Sequence, residues 1–207
     1  MTRSQLIILL ATLGVACASE EDNASDDGSG PGKSSLQGDG FVNADDNTED
    51  YSSLSDIDGA PFTPDSVEAY YYPEDDPVWV LTAKEGETWL YIENYPRFGG
   101  ATGAETRTLG STEVNYATCG VCVLLKTGCQ PHGDHEHCSA TYMPEPGSWV
   151  TFDEPGSGVG GNWSGTLSPV RFVEVSMNSE NFETTPVAGG SQIELDTWSF
   201  DAVLTAN

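Results

Sequence analysis

The stretch Thr88-Trp89-Leu90-Tyr91-Ile92-Glu93 decides the fold class. Its side chains alternate in character: Leu90 and Ile92 share one face of an extended chain, and the bulkier side chains between them share the other. No window of the sequence shows a sustained apolar period of 3.6 residues together with helix caps. The pattern therefore predicts β-strands rather than helices.

Similar runs recur from Val67 onward, separated by clusters of Gly, Pro, Asn and Asp that predict turns. The predicted strands are Val67–Tyr72, Val78–Ala83, Thr88–Tyr95, Thr106–Leu109, Tyr116–Lys126, Ala140–Met143, Ser148–Phe152, Asn162–Leu167, Val170–Met177 and Glu194–Leu204. Short strands joined by short turns over about 140 residues favour one all-β domain with one core. We therefore predict a single antiparallel β-sandwich or jelly-roll-like domain over residues 67–207.

The N-terminus has the shape of an export signal. Arg3 supplies a positive charge, and Leu6–Ala16 is an uncharged run, too short for the roughly 20 apolar residues that span a bilayer. The segment Leu13-Gly14-Val15-Ala16-Cys17 is similar to a bacterial lipobox, with Gly where Leu is usual. We predict a lipoprotein signal peptide over residues 1–16, and acylation of Cys17 by palmitate or a similar chain. An ordinary signal peptide with an incidental cysteine is the alternative.

Residues 17–66 are predicted to form a disordered acidic tether that starts at the lipidated Cys17. Residues 18–66 contain thirteen acidic side chains and one basic one, Lys33, with few aromatic or branched apolar residues. Such a segment cannot bury enough apolar surface to offset the entropy that ordering costs.

The net charge limits the partners of the protein. The chain has 33 Asp and Glu against 7 Lys and Arg, which gives a formal charge of −26. A polyanion of this size repels phosphate backbones, so we expect no nucleic-acid partner. Cations, polar glycans and basic proteins remain compatible with it. We expect the membrane to be reached through the lipid anchor and the domain to be a monomer.

Four cysteines, Cys119, Cys122, Cys129 and Cys138, lie within twenty residues of one another. In an exported chain such an even set predicts two disulfides. Because a hairpin closing after Lys126 would bring the flanking strands together, we expect Cys122 to bond Cys138 and Cys119 to bond Cys129. A zinc site on the thiolates is less consistent with the spacing and the compartment, and a redox pair at Cys119 and Cys122 lacks the helix that such pairs use.

The three histidines of the chain, His132, His135 and His137, fall inside the same stretch. Imidazoles with carboxylate neighbours suit Zn²⁺ or Cu²⁺, so a transition-metal site completed by Asp134 or Glu136 is one hypothesis. A solvated polar loop without a metal is the other. We expect no further cofactor.

Catalytic residues are not recognisable in this sequence. Serine never occurs in a G-x-S-x-G elbow, and in so acidic a chain a carboxylate pair such as Asp153 and Glu154 carries no weight. The bulky aromatics are better candidates for binding if two or three of them lie on a surface. They are Tyr70, Tyr71, Tyr72, Trp79, Trp89, Trp149, Trp163 and Trp198.

Three strings resemble lipoproteins of myxobacteria and related deltaproteobacteria. They are Asn115-Tyr116-Ala117-Thr118-Cys119-Gly120-Val121-Cys122-Val123-Leu124-Leu125, Asn162-Trp163-Ser164-Gly165-Thr166-Leu167-Ser168-Pro169-Val170-Arg171-Phe172-Val173-Glu174-Val175 and Asp196-Thr197-Trp198-Ser199-Phe200-Asp201. The resemblance covers roughly residues 67–207 and implies a lipid-anchored β domain with paired cysteines. It brings no activity, substrate or catalytic residue.

The sequence thus predicts a lipid-anchored protein of the bacterial cell envelope. Ala18 and Ser19 after the acylated Cys17 favour the outer membrane. We expect a non-enzymatic binding or structural module for a protein or glycan. A metal-binding lipoprotein that uses residues 119–138 is the alternative, and an envelope hydrolase is the least favoured.

Overall fold

A computed structural model describes residues 59–73, 76–132 and 135–206. Strands alternate with turns throughout these residues. The strands are β1 (Ser66–Tyr72), β2 (Val78–Glu85), β3 (Thr88–Asn94), β4 (Glu105–Thr108), β5 (Val121–Thr127), β6 (Gln130–His132), β7 (His135–His137), β8 (Ala140–Pro144), β9 (Trp149–Pro155), β10 (Asn162–Leu167), β11 (Val170–Met177), β12 (Thr184–Pro186), β13 (Gln192–Leu195) and β14 (Trp198–Ala206). One turn of 3₁₀ helix, Pro96–Phe98, is added after β3. The predicted all-β fold is confirmed.

Twelve of the strands form one curled sheet, in the order β12-β11-β8-β5-β3-β2-β1-β14-β10-β9-β4, with β13 beside β12 on the same edge of β11. We call β1, β2, β3, β5, β8 and β11–β13 the large half-sheet, and β4, β9, β10 and β14 the small half-sheet. Neighbours pair antiparallel except β1 and β14, which are parallel with Ala69 opposite Leu204 and join the halves.

The inner faces of both half-sheets contribute to one hydrophobic core, as a sandwich requires. The large half-sheet provides Leu81, Ile92 and Val123, all of them fully buried. Phe152 and Trp163 of the small half-sheet stack with ring centroids 6.1 Å apart and an interplanar angle of 8°. Interdigitation of these side chains places the hydrophobic stabilisation between the two halves.

A second buried cluster lies on the outer face of the large half-sheet. Trp89, Tyr91 and Leu124 of that face are covered by the segments that follow β4, β5 and β11. These segments contribute Tyr116, Phe182, Cys119 and Cys129, and β5 itself contributes Cys122. Both faces of the large half-sheet are therefore buried along much of its width, and only the small half-sheet presents a bare outer face, within the part of the chain that the structure describes.

The folded domain begins earlier than the predicted Val67. Ala60 forms a bridge to Leu195, its amide donates to the carbonyl of Glu194, and Phe62 is 6% exposed. The Phe62 ring meets Trp198 edge-on at 5.5 Å. Residues 59–66, assigned to the tether from their composition, belong to the domain instead, because one aromatic anchor offsets the cost of ordering them. The rest of the predicted tether and the signal peptide lie outside the described residues.

Two predicted strands were too long. Tyr116–Lys126 begins at Val121, because the carbonyl of Asn115 accepts bonds from the amides of Thr118 and Cys119 and holds a turn there. Glu194–Leu204 is divided into β13 and β14 at Asp196, whose carboxylate accepts a bond from the next amide at 2.6 Å. Strands β6, β7 and β12 were not predicted. The described residues include no helix that is long and apolar enough to span a membrane.

Candidate functional site

Two disulfides hold the segment over the outer face of the large half-sheet. Cys119 bonds Cys122, and Cys129 bonds Cys138. The prediction of two disulfides is confirmed, but the expected pairing was wrong. Residues between Thr127 and Ala140 form a separate ribbon instead of continuing the β5–β8 hairpin, so Cys138 is drawn to the base of that ribbon and away from Cys122.

Strands β6 and β7 pair only with each other and form this ribbon. The Cys129–Cys138 disulfide links the two strands at the base of the ribbon. The backbone amide of Cys129 donates a hydrogen bond to the Glu87 carbonyl at 3.0 Å. The side-chain amide of Gln130 also donates to the Glu87 carboxylate, at 3.1 Å. The ribbon is thereby attached to the turn between β2 and β3.

Glu136 anchors the ribbon to the sheet below it. Its Oε2 accepts a hydrogen bond from the Tyr91 hydroxyl at 2.5 Å, and its Oε1 lies 3.9 Å from Lys84 Nζ. Burial, and then the hydrogen bond to Glu136, raise the pKa of Tyr91 far above that of free tyrosine. Lys126 lies 4.7 Å above the Tyr91 ring as a cation–π contact. Tyr91 therefore stays a neutral donor at any physiological pH.

A second carboxylate, Glu93, organises the neighbouring segment. Its Oε2 accepts hydrogen bonds from Tyr95 at 2.7 Å and from Tyr116 at 2.9 Å. Burial, and then the nearby Glu93 charge, raise the pKa of Tyr95 well above its usual value. Because Tyr116 belongs to the turn before Cys119, this cluster ties the first disulfide to β3. Its role is structural.

The backbone register brings the histidine positions together. His132 lies directly opposite His135, and His137 lies two residues further along β7. Residues opposite each other and residues two apart share a face of a β-ribbon, so the three positions occupy one face. Pro131 and Glu136 alternate onto the other face, the one that contacts the sheet.

The predicted metal ligands are therefore only partly grouped. Glu136 was expected to complete the metal shell, but its carboxylate is committed to Tyr91 and Lys84 on the opposite face. Asp134, like the side chains of His132 and His135, lies outside the described residues. Among the side chains that the structure does describe, no group of three or more His, Cys, Asp or Glu is arranged to hold a metal ion.

The small half-sheet presents a different surface, which sequence reasoning missed. Its outer face carries one hydroxyl side chain from each of its four strands in a single row: Thr106, Thr151, Thr166 and Ser199. The hydroxyls of Thr106 and Thr151 are 2.9 Å apart, and those of Thr166 and Ser199 are 3.1 Å apart. Neighbouring members follow the strand spacing of about 4.8 Å. The row became visible only once the register was known.

Trp149 stands beside this row on the same face. It lies two residues before Thr151 on β9 and opposite Thr108 of β4, and it is 42% exposed. Trp89, Trp163 and Trp198 are buried by contrast, and Tyr70, Tyr71, Tyr72 and Trp79 are half-buried. We call Thr106, Thr108, Trp149, Thr151, Thr166 and Ser199 the hydroxyl face. No member is charged, whereas Asp153 and Asp201, two residues beyond Thr151 and Ser199, are exposed acids.

Comparison with known proteins assigns no role to the β6–β7 ribbon or to the hydroxyl face. The chain matches no protein-family model, and no curated protein or solved structure is similar to it at a significant level. The lipoprotein resemblance therefore remains an expectation from sequence, and Cys17 lies outside the described residues.

Proposed function

We propose that this chain is an exported, lipid-anchored protein of the bacterial envelope whose β-sandwich binds a neutral glycan through the hydroxyl face. The observation that carries the proposal is the exposed Trp149 beside a row of uncharged hydroxyls. An exposed indole beside a row of hydroxyls combines a flat apolar surface with hydrogen-bonding groups, and this combination suits an amphipathic ligand.

The chemistry of the hydroxyl face fits a sugar. An indole ring offers a flat apolar surface to the C–H groups of a pyranose, and each Thr or Ser hydroxyl can both donate and accept a hydrogen bond. Because neighbouring hydroxyls such as Thr106 and Thr151 already bond each other, they are held in place before a ligand arrives. Preorganised groups lose little entropy on binding.

The charge of the chain selects against acidic glycans. With a formal charge of −26, the chain repels polyanions, and exposed Asp153 and Asp201 lie next to the hydroxyl face. A neutral polysaccharide suffers no such repulsion. The same argument makes an acidic protein or nucleic acid a poor ligand for this surface.

Export and anchoring support this assignment. The signal-like residues 1–16 and the lipobox-like Cys17 predict placement outside the cytoplasm, where envelope and extracellular glycans occur. The two disulfides agree with an oxidising compartment.

Retention on insoluble polysaccharides tests the proposal. The chain should be retained by at least one neutral polysaccharide among cellulose, chitin and starch, and not by the acidic polymer alginate. Trp149→Ala should reduce that affinity at least tenfold, which is a loss of about 1.4 kcal/mol. Val203→Ala is the matched control, since Val203 is also exposed, at 58%, and lies outside the hydroxyl face.

Two results would contradict the proposal. One is the absence of retention on every neutral polymer. The other is equal retention of the Trp149→Ala chain and the unmodified chain. Retention of a protein from an envelope extract that survives the Trp149→Ala change would move the function to protein binding at another surface.

A further inference from the structure

The hydroxyl row, which is Thr106, Thr151, Thr166 and Ser199, crosses the strands of the small half-sheet. Each member lies directly opposite the next, from β4 through β9 and β10 to β14. Neighbouring strands are about 4.8 Å apart, so the row is about 14 Å long. β4 is the last strand at its edge of the described sheet, which leaves the row open at the Thr106 end. A ligand longer than one sugar can therefore extend along it.

Different side chains border the two sides of the hydroxyl row. Trp149 lies two residues before Thr151, and the exposed Asp153 lies two residues after it. Because residues two apart on a strand share a face, the indole and the carboxylate lie on one surface, on opposite sides of the row. Thr108 of β4 continues the side of the indole, and Asp201 of β14 continues the acidic side. The row thus has an apolar stacking surface on one side and hydrogen-bond acceptors on the other.

The hydroxyl row offers more hydrogen-bond acceptors than donors. Thr106 and Thr151 are bonded to each other, and so are Thr166 and Ser199. Each such bond uses the single O–H of one hydroxyl but only one of the two lone pairs of the other. The bordering carboxylates add acceptors alone. A glycan with many free hydroxyl groups complements this surface, because it supplies the missing donors.

The spacing of the hydroxyl row selects the linkage of the glycan. In an extended β-1,4-linked glycan each sugar advances the chain by a distance close to one strand spacing, whereas an α-1,4-linked glycan coils into a helix. We propose that the hydroxyl face binds a neutral β-1,4-linked glycan as a single extended chain, with successive sugars over successive strands. This inference rests on the proposed function and specifies the ligand of the same site.

The four strands of the small half-sheet define the positions of the sugars. The sugar over β9 stacks on Trp149 and bonds Thr151, since both residues belong to that strand. The sugar over β14 bonds Ser199, about 10 Å away across two strand spacings. A disaccharide that stacks on Trp149 therefore does not reach β14, and a tetrasaccharide does.

The twist of the sheet favours a single glycan chain over a crystalline surface. Adjacent strands in a sheet are rotated by about 20–25° relative to each other, so the two ends of a four-strand row differ in direction by about 60–75°. A flat crystal face cannot follow that rotation, whereas a single chain turns about its glycosidic linkages. The proposed ligand is therefore also bound as a soluble oligosaccharide.

Calorimetry of the full-length mature chain with oligosaccharides of two to six sugars tests the proposal. The cello- and chito-oligosaccharide series share the β-1,4 linkage and distinguish glucose from N-acetylglucosamine, and the malto-oligosaccharide series has the α-1,4 linkage. At least one β-1,4-linked series should gain tenfold or more in affinity between two and four sugars, and little beyond four. The malto-oligosaccharide of four sugars should bind at least tenfold more weakly than its β-1,4-linked counterpart.

Ser199→Ala supplies a readout that depends on the position of the sugar. It should weaken binding of the β-1,4-linked tetrasaccharide at least threefold and leave binding of the disaccharide unchanged. Ser176→Ala is the matched control, because Ser176 is also an exposed serine within a strand but belongs to β11 of the large half-sheet. Both variants should keep the thermal midpoint of the unmodified chain.

The possible results separate this inference from the proposed function. Three results would overturn the extended-chain site while glycan binding stands: equal affinity for the malto-oligosaccharides, an affinity that does not grow with chain length, or equal weakening of both lengths by Ser199→Ala. Absence of binding in all three series would contradict glycan binding itself.

Discussion

Two tryptophans of the small half-sheet have opposite roles at the scale of single residues. Trp163 is fully buried and packs against Phe152 and Phe200, whereas Trp149 is 42% exposed. Trp163→Ala should lower the free energy of unfolding by about 3–5 kcal/mol, because it opens a large cavity in the core. Trp149→Ala should change it by about 0.5 kcal/mol or less.

Chemical denaturation of the two variants measures this contrast. Trp149→Ala combines little stability loss with the predicted loss of glycan retention, so it separates function from folding. A destabilisation by Trp149→Ala as large as that of Trp163→Ala would mean that the exposed indole serves packing rather than a ligand.

Tyr95 gives the domain a specific response to alkaline pH. Free tyrosine titrates near pH 10, and burial with the Glu93 charge raises the pKa of Tyr95 well above that value in the folded state. The unfolded chain therefore loses this proton first as the pH rises. The contribution to stability is fully present below about pH 10 and decreases above it.

The Tyr95→Phe chain carries no such proton. Its free energy of unfolding should decrease less steeply than that of the unmodified chain above about pH 10, where denaturant titrations can be compared. Parallel decreases in the two chains would show that Tyr95 does not carry the effect.

Single residues show where sequence reasoning succeeded and where it stopped. The alternation around Leu90 and Ile92 was sufficient to predict a strand with these two side chains on one face, because strand geometry is local. That the opposite face is buried as well depends on segments distant in the sequence. The role of Trp149 was not predictable, since it depends on Thr151, Thr166 and Ser199 being aligned by the register of separate strands. Glu136 likewise found a partner, Tyr91, that is 45 residues away.

At the scale of elements, the ribbon depends on its disulfide. The Cys129–Cys138 bond closes a loop with a sequence separation of 9, while Cys119–Cys122 closes one of 3. In the chain-entropy account the longer loop stabilises the fold by about 2.6 kcal/mol, which is about 1 kcal/mol more than the shorter one does. Cys129→Ser/Cys138→Ser should therefore destabilise the domain more than Cys119→Ser/Cys122→Ser does.

Thermal unfolding of the two double variants ranks their stabilities. Thiol titration of the denatured, unreduced chain should find none of the four cysteines free. Four reactive thiols with an equivalent of bound zinc would support the thiolate metal site in place of the disulfides, and a reversed ranking would contradict the loop-length argument.

The segment before β1 is the second element whose contribution can be measured. A chain that begins at Gly59 should keep the thermal midpoint of the mature protein within a few degrees, because the acidic composition of residues 18–58 favours little burial. Removal of residues 59–65 as well eliminates the Phe62–Trp198 contact. We expect a further loss of about 3 kcal/mol or more, as for deletion of a buried Phe.

Phe62→Ala in the chain that begins at Gly59 is the matched control for that deletion. It should reproduce most of the loss, since the aromatic ring is the buried part of the segment. An unchanged thermal midpoint after removal of residues 59–65 would show that these residues do not stabilise the domain, and that the domain begins near Val67.

Element lengths explain which strands could be predicted. Runs of six to eight residues such as β2, β10 and β11 contain enough alternation to be recognised. The three-residue strands β6, β7 and β12 are too short to show such alternation. Strand β12 forms beside the longer β11, and the Cys129–Cys138 disulfide holds β6 beside β7. The cysteine pairing was wrong for the same reason, since it depended on the ribbon.

At the scale of the whole molecule, the location of the chain decides whether the hydroxyl face meets a glycan. Cys17→Ala should release the chain from the membrane fraction into the soluble fraction, because the predicted anchor would be lost. Cell fractionation with detection of the chain measures this, and Ala18→Ser is a control that leaves the cysteine intact. A Cys17→Ala chain that stays in the membrane fraction would contradict lipid anchoring.

The claim on which the whole account depends is that the chain is exported, lipidated and oxidised. Intact-mass and fragment mass spectrometry of the protein isolated from its native membrane tests this most directly. We predict a chain that begins at Cys17, carries acyl groups on that residue and contains Cys119–Cys122 and Cys129–Cys138 disulfides. A chain that retains residues 1–16, or that has an unmodified Cys17 and four free thiols, would contradict it.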